Sequence, residues 1–308
     1  MNILVIGDVM LDKYIEGSVS RVSPEAPVPV INVTRESHRI GGSGNVANNI
    51  VKLGLPVCLL GMVGNDNNAG ILHREIEAAG IRFRAVTTSA PTVTKVRVIG
   101  NHQQIARIDY EQPGDFETEM VAAVSEAIQE LPWTIGVISD YHKGVCTPGV
   151  CAAFIQFATA QNRKVIVDPK SNNWAQYAGA WLITPNFKEF CAAVGRSLPN
   201  EDAAIEEHGR ALIAQYGIQH LLVTRSEKGM SLVTPGSATH IPTFTADVYD
   251  VSGAGDTVVA AIAASLAEGY AIEESVYRAN VAAGIVVSKF GTYAVSKNEL
   301  AEKLLSLK

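Results

Sequence analysis

The chain has 308 residues, of which 47% are hydrophobic, and its formal net charge is −6. This length and apolar content suffice for one large α/β domain with a small accessory element, and the acidic charge without any basic run argues against a nucleic-acid-binding surface. The four cysteines show no Cys-x-x-Cys spacing, and no apolar run reaches the roughly 18 residues that a membrane-spanning helix needs. Because Met1 also leads directly into a strand pattern, we expect a cytoplasmic protein without a zinc site, a membrane contact or a nucleic-acid partner, which acts on small metabolites.

Short apolar segments alternate with amphipathic segments along the chain. The predicted strands, all rich in Val, Ile and Leu, are Asn2–Gly7, Val57–Val63, Ile135–Ser139, Val165–Asp168, Trp181–Thr184 and His220–Thr224. The predicted helices, with apolar residues spaced by three and four, are Asn45–Leu53, Asn68–Ala79, Glu117–Glu130, Pro148–Ala160 and Glu201–Tyr216. Strands that are apolar throughout are typical of a parallel sheet covered on both faces. The alternation therefore predicts a doubly wound, mainly parallel sheet in a single domain over residues 1–308.

Two stretches interrupt this alternation, Leu11–Val33 and Arg82–Tyr110. The second contains the runs Thr92–Val98 and Gln104–Asp109, whose polar alternation is typical of antiparallel strands. We predict that the two stretches form a small β-lid at the edge of the main sheet. Because an unpaired edge with apolar residues such as Val28 favours association, we expect a two-fold homodimer joined through the lids.

Polar residues follow the carboxyl ends of the predicted strands, where ligands of open α/β sheets bind. They are Asp8 and Asp12, Asp140–Lys143, Asp168–Lys170, Pro185–Glu189 and Thr224–Ser226. Any one of these groups is more often a helix cap or a turn than part of a site. Five such groups at one edge of a sheet indicate a binding site there.

A glycine-rich segment, Asp250–Thr257, leads into the small-residue helix predicted over Val258–Ala264. Its glycines allow a close approach of the backbone to a ligand, and the free amides and partial positive charge of a helix N-terminus suit a phosphate group. A carboxylate beside that anion, Asp256, fits a general base that takes a proton from an attacking hydroxyl. The alternative is an ordinary glycine turn in which Asp256 caps the helix.

Three motifs together resemble the ribokinase-like (PfkB) carbohydrate kinases, over essentially the whole chain. They are Gly41-Gly42-Ser43-Gly44-Asn45-Val46-Ala47, Asn186-x-x-Glu189 and Asp250-x-x-Gly253-Ala254-Gly255-Asp256. Within that family, four segments are similar to the kinases that phosphorylate D-glycero-β-D-manno-heptose 7-phosphate at O1, on the route to ADP-heptose and the lipopolysaccharide core: Val5–Asp12, Ser20–Val30, Ser139–Gly144 and Leu222–Met230. The length of the chain leads us to expect the form without a nucleotidyltransferase domain.

The resemblance implies an ATP-dependent reaction in which Asp256 is the catalytic base and the amides of Gly253, Ala254 and Gly255 hold the transferring phosphoryl group. The residues that it implies for the nucleotide site are Lys170, Asn186, Glu189, Thr224, Ser226, Gly229, Gly253, Gly255 and Asn280. Glu189 would hold Mg²⁺ through water. Asp250 and Ser252 match a monovalent-cation site, for K⁺, of some relatives.

On the sugar side, the resemblance assigns Asp8, Asp12, Gly42 and Asn45 to the acceptor. A phosphorylated acceptor also needs a cation, for which the chain offers Arg107, Lys95, Arg97, Arg21 and Lys143. We favour Arg107 because its planar guanidinium matches phosphate and it lies on a predicted lid strand. The alternative for Lys95 and Arg97 is that they are solvated charges on an exposed strand.

Two positions depart from the family pattern, namely Ser43, where Gly, Ala or Pro is usual, and Val251-Ser252, where Thr follows the aspartate. Both keep small side chains near the ligand but weaken the assignment of acceptor and cation. The alternatives are therefore a kinase of another sugar phosphate or of a nucleoside, and a ligand-binding relative without turnover. A dinucleotide oxidoreductase is disfavoured because no Gly-x-Gly-x-x-Gly follows the first strand.

Overall fold

The structure is a computed structural model that describes residues 3–112, 114–244, 248–289 and 291–307. The strands in this part of the chain are β1 (Ile3–Gly7), β2 (Val9–Val22), β3 (Pro29–Gly42), β4 (Val57–Gly64), β5 (Arg82–Thr88), β6 (Thr94–Gly100), β7 (Gln103–Tyr110), β8 (Ile135–Ser139), β9 (Lys164–Asp168), β10 (Leu182–Ile183), β11 (His220–Thr224), β12 (Met230–Val233) and β13 (Ala238–Ile241). The α-helices are α1 (Ser43–Lys52), α2 (Asn67–Ala78), α3 (Glu117–Glu130), α4 (Pro148–Ala160), α5 (Phe187–Val194), α6 (Asp202–Tyr216), α7 (Ala254–Ala267), α8 (Ile272–Val287) and α9 (Lys297–Ser306).

The larger of two sheets has the strand order β13-β12-β11-β10-β9-β8-β1-β4-β5. Neighbouring strands from β11 to β5 in this order pair in parallel, and only β12 and β13 are antiparallel. The predicted doubly wound, mainly parallel sheet is confirmed. β12, β13, α5, α8 and α9 have no counterpart among the strands and helices predicted above. Asn2, the first residue of the first predicted strand, lies outside the described residues.

Successive residues of β1 point to opposite faces of this sheet, and each face carries its own hydrophobic core. Ile3 and Val5 pack with residues of α1, α2, α7 and α8. Leu4 and Ile6 pack with residues of α3, α4 and α6. All four side chains are fully buried. Burial on both faces explains why the central strands are apolar without alternation.

The smaller sheet has the order β3-β2-β6-β7 and forms the lid. β2 pairs antiparallel with β3 and parallel with β6, and β6 pairs antiparallel with β7. β2 starts in the core, where Val9–Leu11 are buried, and becomes exposed toward Val22. The small, mainly antiparallel sheet of the prediction is therefore present.

The bounds of the lid differ from the predicted ones. Arg82–Thr88 is β5, which pairs with β4 at the edge of the large sheet, and the lid strand β3 continues beyond Val33 to Gly42. An edge strand is covered on one side only, so its residues are partly exposed and resemble those of a lid strand in sequence. Across the described ranges, no helix has the length and apolar character needed to cross a bilayer.

Candidate active site

The glycine-rich segment forms the start of α7. Gly253 has φ of 79° and precedes the helix, a backbone conformation that glycine adopts without strain. The amide of Ala254 donates to the carbonyl of Val251 at 3.2 Å, whereas the amide and hydroxyl of Thr257 donate to the carbonyl of Gly253. The amides of Gly255 and Asp256 lie in the first turn, where amides have no intrahelical partner. This end of α7 therefore has donors for an anion.

Asp256 is buried at this helix end and receives two hydrogen bonds from neutral side chains. Asn45 Nδ2 donates to Oδ2 at 2.6 Å, and the Tyr141 hydroxyl donates to Oδ1 at 2.5 Å. Burial raises the pKa of Asp256 from 3.8 to about 6, although both hydrogen bonds act in the opposite direction. The pKa of Tyr141 is raised well above its usual value by burial and by the Asp256 carboxylate, so the tyrosine remains a donor. A carboxylate with this pKa can accept a proton near neutral pH.

Asp8 positions the loop that carries Tyr141. Its carboxylate is buried after β1 and accepts the amides of Tyr141 at 2.8 Å, Lys143 at 3.1 Å and Val145 at 2.9 Å. Burial raises the pKa of Asp8. The resemblance predicts that Asp8 binds the acceptor, whereas in the structure both of its carboxylate oxygens accept backbone amides. The contact of Tyr141 with the base is not among the predictions. Only the position of Asp140–Lys143 at a strand end signalled that this loop belongs to the site.

Asn45 is held in place by a network between α1 and α7. The backbone carbonyl of Asn45 accepts a hydrogen bond from Asn49 Nδ2 at 2.9 Å, and Asn49 Oδ1 accepts one from the Thr257 hydroxyl at 3.1 Å. Gly42, with φ of 60°, precedes α1, and a side chain there would overlap the backbone of Asp8. The motif containing Gly42 and Asn45 thus brings an amide group onto Asp256.

A cavity of about 190 Å³ opens beside Asp256 at the carboxyl end of the sheet. Its lining includes Asp140, Tyr141, Asp168, Lys170, Asn186, Glu189, Thr224, Gly253, Gly255 and Asp256. The structure therefore brings the base, the glycine segment and most of the predicted nucleotide residues to one place. Asp168 was noticed in sequence only as a strand end.

The carboxylates in this cavity suit a hard cation. Asn186 and Glu189 cap α5 reciprocally, since Asn186 Oδ1 accepts the Glu189 amide and Glu189 Oε2 accepts the Asn186 amide. Glu189 Oε1 contacts Lys170 Nζ at 3.2 Å. Burial, together with the charges of Asp256 and Glu189, raises the pKa of Asp168 well above its usual value. Carboxylate oxygens that line one cavity, as those of Asp168, Glu189 and Asp256 do, are of the ligand type that Mg²⁺ prefers.

Ser226, Gly229 and Asn280 do not line this cavity. Gly229 has φ of 78°, and a side chain there would overlap the carbonyl oxygen of Ile241. Asn280 Nδ2 donates to the carbonyl of Pro242 at 2.7 Å. Gly229 thus allows the β11–β12 turn to pack closely against the end of β13. Asn280 joins α8 to the segment that follows β13. The role that the structure shows for both residues is structural.

Asp250 holds the glycine segment from the other side. Its carboxylate accepts the amides of Ser252 at 2.9 Å and Gly291 at 3.0 Å. A hydrogen bond from the Ser252 side chain, together with those from the amides of Ser252 and Gly291, lowers the pKa of Asp250. The carboxylate is therefore negatively charged and is hydrogen-bonded to Ser252, the other residue predicted for the monovalent cation.

Most predicted cations for the acceptor phosphate are paired with carboxylates. Arg97 contacts Asp12 at 2.5 Å, and Lys143 contacts Glu111 at 2.7 Å. Arg107 forms a bidentate contact with Asp109 at 2.9 and 3.0 Å. Within the described ranges neither Lys95 nor Arg21 forms a salt bridge, and Arg21 is exposed toward the far end of β2. Arg97 and Arg107 are directly opposite each other on β6 and β7.

Comparison with known proteins gives one family and many relatives. The family described as pfkB family carbohydrate kinase matches residues 1–299. A bifunctional protein HldE of Histophilus somni (strain 129Pt) is 45% identical over 302 residues, and that of Escherichia coli O9:H4 (strain HS) is 46% identical over 303 residues. Both alignments cover 97% of this chain and 62% of the relative. The chain thus spans less than two thirds of the length of these curated relatives.

Solved structures share the fold. Phosphofructokinase-2 from Escherichia coli in complex with potassium has a TM-score of 0.82 at 20% identity, and the alignment covers 99% of this chain and 98% of that one. Arabidopsis thaliana ribokinase complexed with ribose and ATP has a TM-score of 0.76 at 19% identity, with 98% of each chain covered. At these identities the likeness establishes the architecture, which agrees with the predicted ribokinase-like fold.

Proposed function

Since the chain belongs to the pfkB family of carbohydrate kinases, we propose that it transfers the γ-phosphoryl group of ATP to O1 of D-glycero-β-D-manno-heptose 7-phosphate. The observation that carries the catalytic part is the buried Asp256 at the glycine-rich start of α7, with its pKa raised to about 6. The acceptor rests on the four segments similar to heptose 7-phosphate kinases. The product would be heptose 1,7-bisphosphate, on the route to ADP-heptose and the lipopolysaccharide core.

The proposed step uses Asp256 as general base. The O1 oxygen attacks the γ-phosphorus while its proton passes to Asp256, and the bond between the γ-phosphorus and the β,γ-bridging oxygen breaks, so that ADP leaves. Asn45 and Tyr141 hold the carboxylate from two sides, and each carboxylate oxygen retains a lone pair for the acceptor. The amides of Gly253, Ala254 and Gly255 are proposed to stabilise the charge on the transferring group. The Ala254 amide would first have to leave the carbonyl of Val251.

The nucleotide would lie in the cavity beside Asp256. Lys170 and Thr224 line it, whereas Ser226, Gly229 and Asn280, which the resemblance also implies for the nucleotide, do not. Glu189 would hold Mg²⁺ through water and Asp168 adds a second carboxylate; the ion, when bound, neutralises charge on the phosphates. Asp250 and Ser252 would hold a monovalent cation such as K⁺, because the Asp250 carboxylate is charged and tied to the anion-binding segment.

The acceptor would lie between the lid and Asp256. Asp12 of β2 is close enough for its charge to act on Asp256, and Gly42 at the end of β3 and Asn45 of α1 would bound the acceptor on the other side. We propose Arg107 as the cation for the acceptor phosphate, since it lies on the lid strand opposite Arg97. Binding would require Arg107 to exchange its contact with Asp109 for the phosphate.

The lid also suggests how two chains associate. Several large apolar side chains on it are exposed: Val22, Val28, Val33, Ile105, Ile108 and Tyr110. A second lid would cover them, so the proposed assembly is a two-fold homodimer joined through the lids. The proposed location of the enzyme is the cytoplasm, where ATP and sugar phosphates are available.

A coupled assay of ATP consumption tests the function. The acceptors are heptose 7-phosphate, fructose 1-phosphate, fructose 6-phosphate, ribose and adenosine, each with Mg²⁺. We expect the largest kcat/KM for heptose 7-phosphate. A larger value for another acceptor would replace the substrate but not the chemistry, and the absence of turnover with every acceptor would favour a ligand-binding relative.

A further inference from the structure

Arg39 lies where the lid meets the glycine-rich segment. It belongs to β3, directly opposite Asp12 of β2. Its Nη1 donates to the Thr292 hydroxyl at 3.3 Å, and it lies 2.8 Å from the point that a Cβ of Gly291 would occupy. One side chain therefore spans from a lid strand to the loop between α8 and α9.

That loop is part of the wall around the anion-binding segment. Thr292 Cγ2 lies 3.7 Å and Asn45 Nδ2 lies 3.1 Å from the point that a Cβ of Gly253 would occupy. Thr292 and Asn45 thus flank Gly253, and Asn45 contacts the catalytic carboxylate. Arg39 is separated from the glycine segment by the single side chain of Thr292, on the side that faces the lid.

The charge of Arg39 has no carboxylate partner within the described ranges. Arg97, Arg107 and Lys143 each contact a carboxylate, but the one polar side-chain contact of Arg39 in these ranges is the long hydrogen bond to Thr292. Arg39 and Arg97 both lie over the ring of Tyr14, at 5.2 and 5.3 Å from its centroid. Asp12 compensates the charge of Arg97, so the charge of Arg39 is the one left for an anion between lid and loop.

We infer that Arg39 binds a phosphate group in the gap between the lid and the glycine-rich segment. The inference rests on the proposed function, because it takes the acceptor to lie under the lid. The planar guanidinium has donors left over from its contact with Thr292, and these match phosphate oxygens. The phosphate is either the one that the acceptor already carries, in which case Arg39 takes the place proposed for Arg107, or the one in transfer. The two sources predict different kinetics.

The test compares Arg39→Gln with two other variants. Arg35→Gln removes a charge from the same strand at an exposed position and serves as the matched control. Thr292→Val removes the hydrogen-bond partner but keeps the arginine. Each variant is assayed with heptose 7-phosphate and with the unphosphorylated heptose, and acceptor binding without nucleotide is measured by isothermal titration calorimetry. Thermal unfolding verifies that the variants are folded.

Loss of a charge-assisted contact weakens the affected step by about 10- to 100-fold. If Arg39 binds the acceptor's own phosphate, Arg39→Gln raises KM and the dissociation constant by this factor for heptose 7-phosphate only. If it binds the group in transfer, kcat falls by this factor with both sugars and acceptor affinity is unchanged. Arg35→Gln stays within about twofold of the wild type in either case.

Two results would overturn the inference. One is an Arg39→Gln enzyme with both parameters within about twofold of the wild type. The other is a Thr292→Val enzyme whose kinetic parameters change as much as those of Arg39→Gln. Arg39 would then act only by holding the lid to the loop through its hydrogen bond with Thr292. Failure of the proposed function is separate: it appears as wild-type preference for another sugar phosphate, and the comparison is then made with that sugar and its unphosphorylated form.

Discussion

The substitution Tyr141→Phe should move the acid limb of the pH–rate profile upward. In the wild type, kcat/KM reports the ionisation of the free enzyme's base, so it should fall below pH 6, where Asp256 becomes protonated. About one tenth of the plateau should remain one pH unit below this midpoint. The Tyr141 hydroxyl, which donates to Oδ1 at 2.5 Å, favours the charged carboxylate.

The size of the change follows from that hydrogen bond. A hydrogen bond to a charged group contributes about 1.5–3 kcal/mol, which corresponds to a pKa change of about 1 to 2. Removal of the hydroxyl takes away no charge, because the tyrosine is neutral. The midpoint for Tyr141→Phe should therefore lie between about pH 7 and pH 8, and the plateau above it should be reached at alkaline pH.

The measurement is kcat/KM for the acceptor at saturating ATP between pH 4.5 and 9.5, a range of about five pH units chosen to bracket both midpoints. Tyr270→Phe, at an exposed position that contacts Arg278, is the control and should keep the wild-type midpoint. A Tyr141→Phe midpoint equal to or lower than that of the wild type would show that the hydroxyl does not stabilise the charged base.

Asp256→Asn should lower turnover by at least about 10²-fold with little change in nucleotide affinity, and near-normal turnover would remove Asp256 from the mechanism. The same variant should be more stable than the wild type at pH 8. The pKa of Asp256 is raised in the folded state from 3.8 to about 6, so ionisation of this carboxyl lowers the free energy of unfolding. The cost begins as the pH rises above 3.8 and reaches about 3 kcal/mol above about pH 6. Equal melting temperatures at pH 8 would contradict this. Arg107→Ala should raise KM for heptose 7-phosphate by about 10- to 150-fold and leave KM for ATP within about twofold; if only Lys143→Ala does so, the phosphate lies at the sheet edge. Light scattering should give a dimer, and a monomer at micromolar concentration would contradict association through the lids.

The local patterns of the sequence predicted the elements well where burial is regular. The bounds of α3 and α4 agree residue for residue with the predicted helices, because their apolar spacing is regular and Thr147 and Pro148 mark the start of α4. β5 was assigned to the lid because its partial exposure resembles that of a lid strand. β12 and β13 have four residues each, too few for a clear pattern.

The site could be predicted as a set of residue types but not as a set of contacts. The glycine segment, Asp256 and Glu189 were visible as motifs. Tyr141 and Asp256 are separated by 115 residues along the chain, and nothing in either segment indicates that they touch. Likewise, Asp8 resembles any carboxylate after a strand, and only the fold shows that it holds the loop carrying Tyr141.

Two of the four lid strands, β2 and β3, run directly into the core, whereas β6 and β7 are connected to it by loops. β2 begins among buried residues at Val9, and β3 ends at Gly42, directly before α1. When such a sheet bends, its displacement is small at the root, near Val9, and grows toward the tip, near Val22. The irregular pairing between Glu16 and Gly17 is the natural place for it to bend. Asp12, near the root, would then keep its distance from Asp256 while the tip of the lid moves.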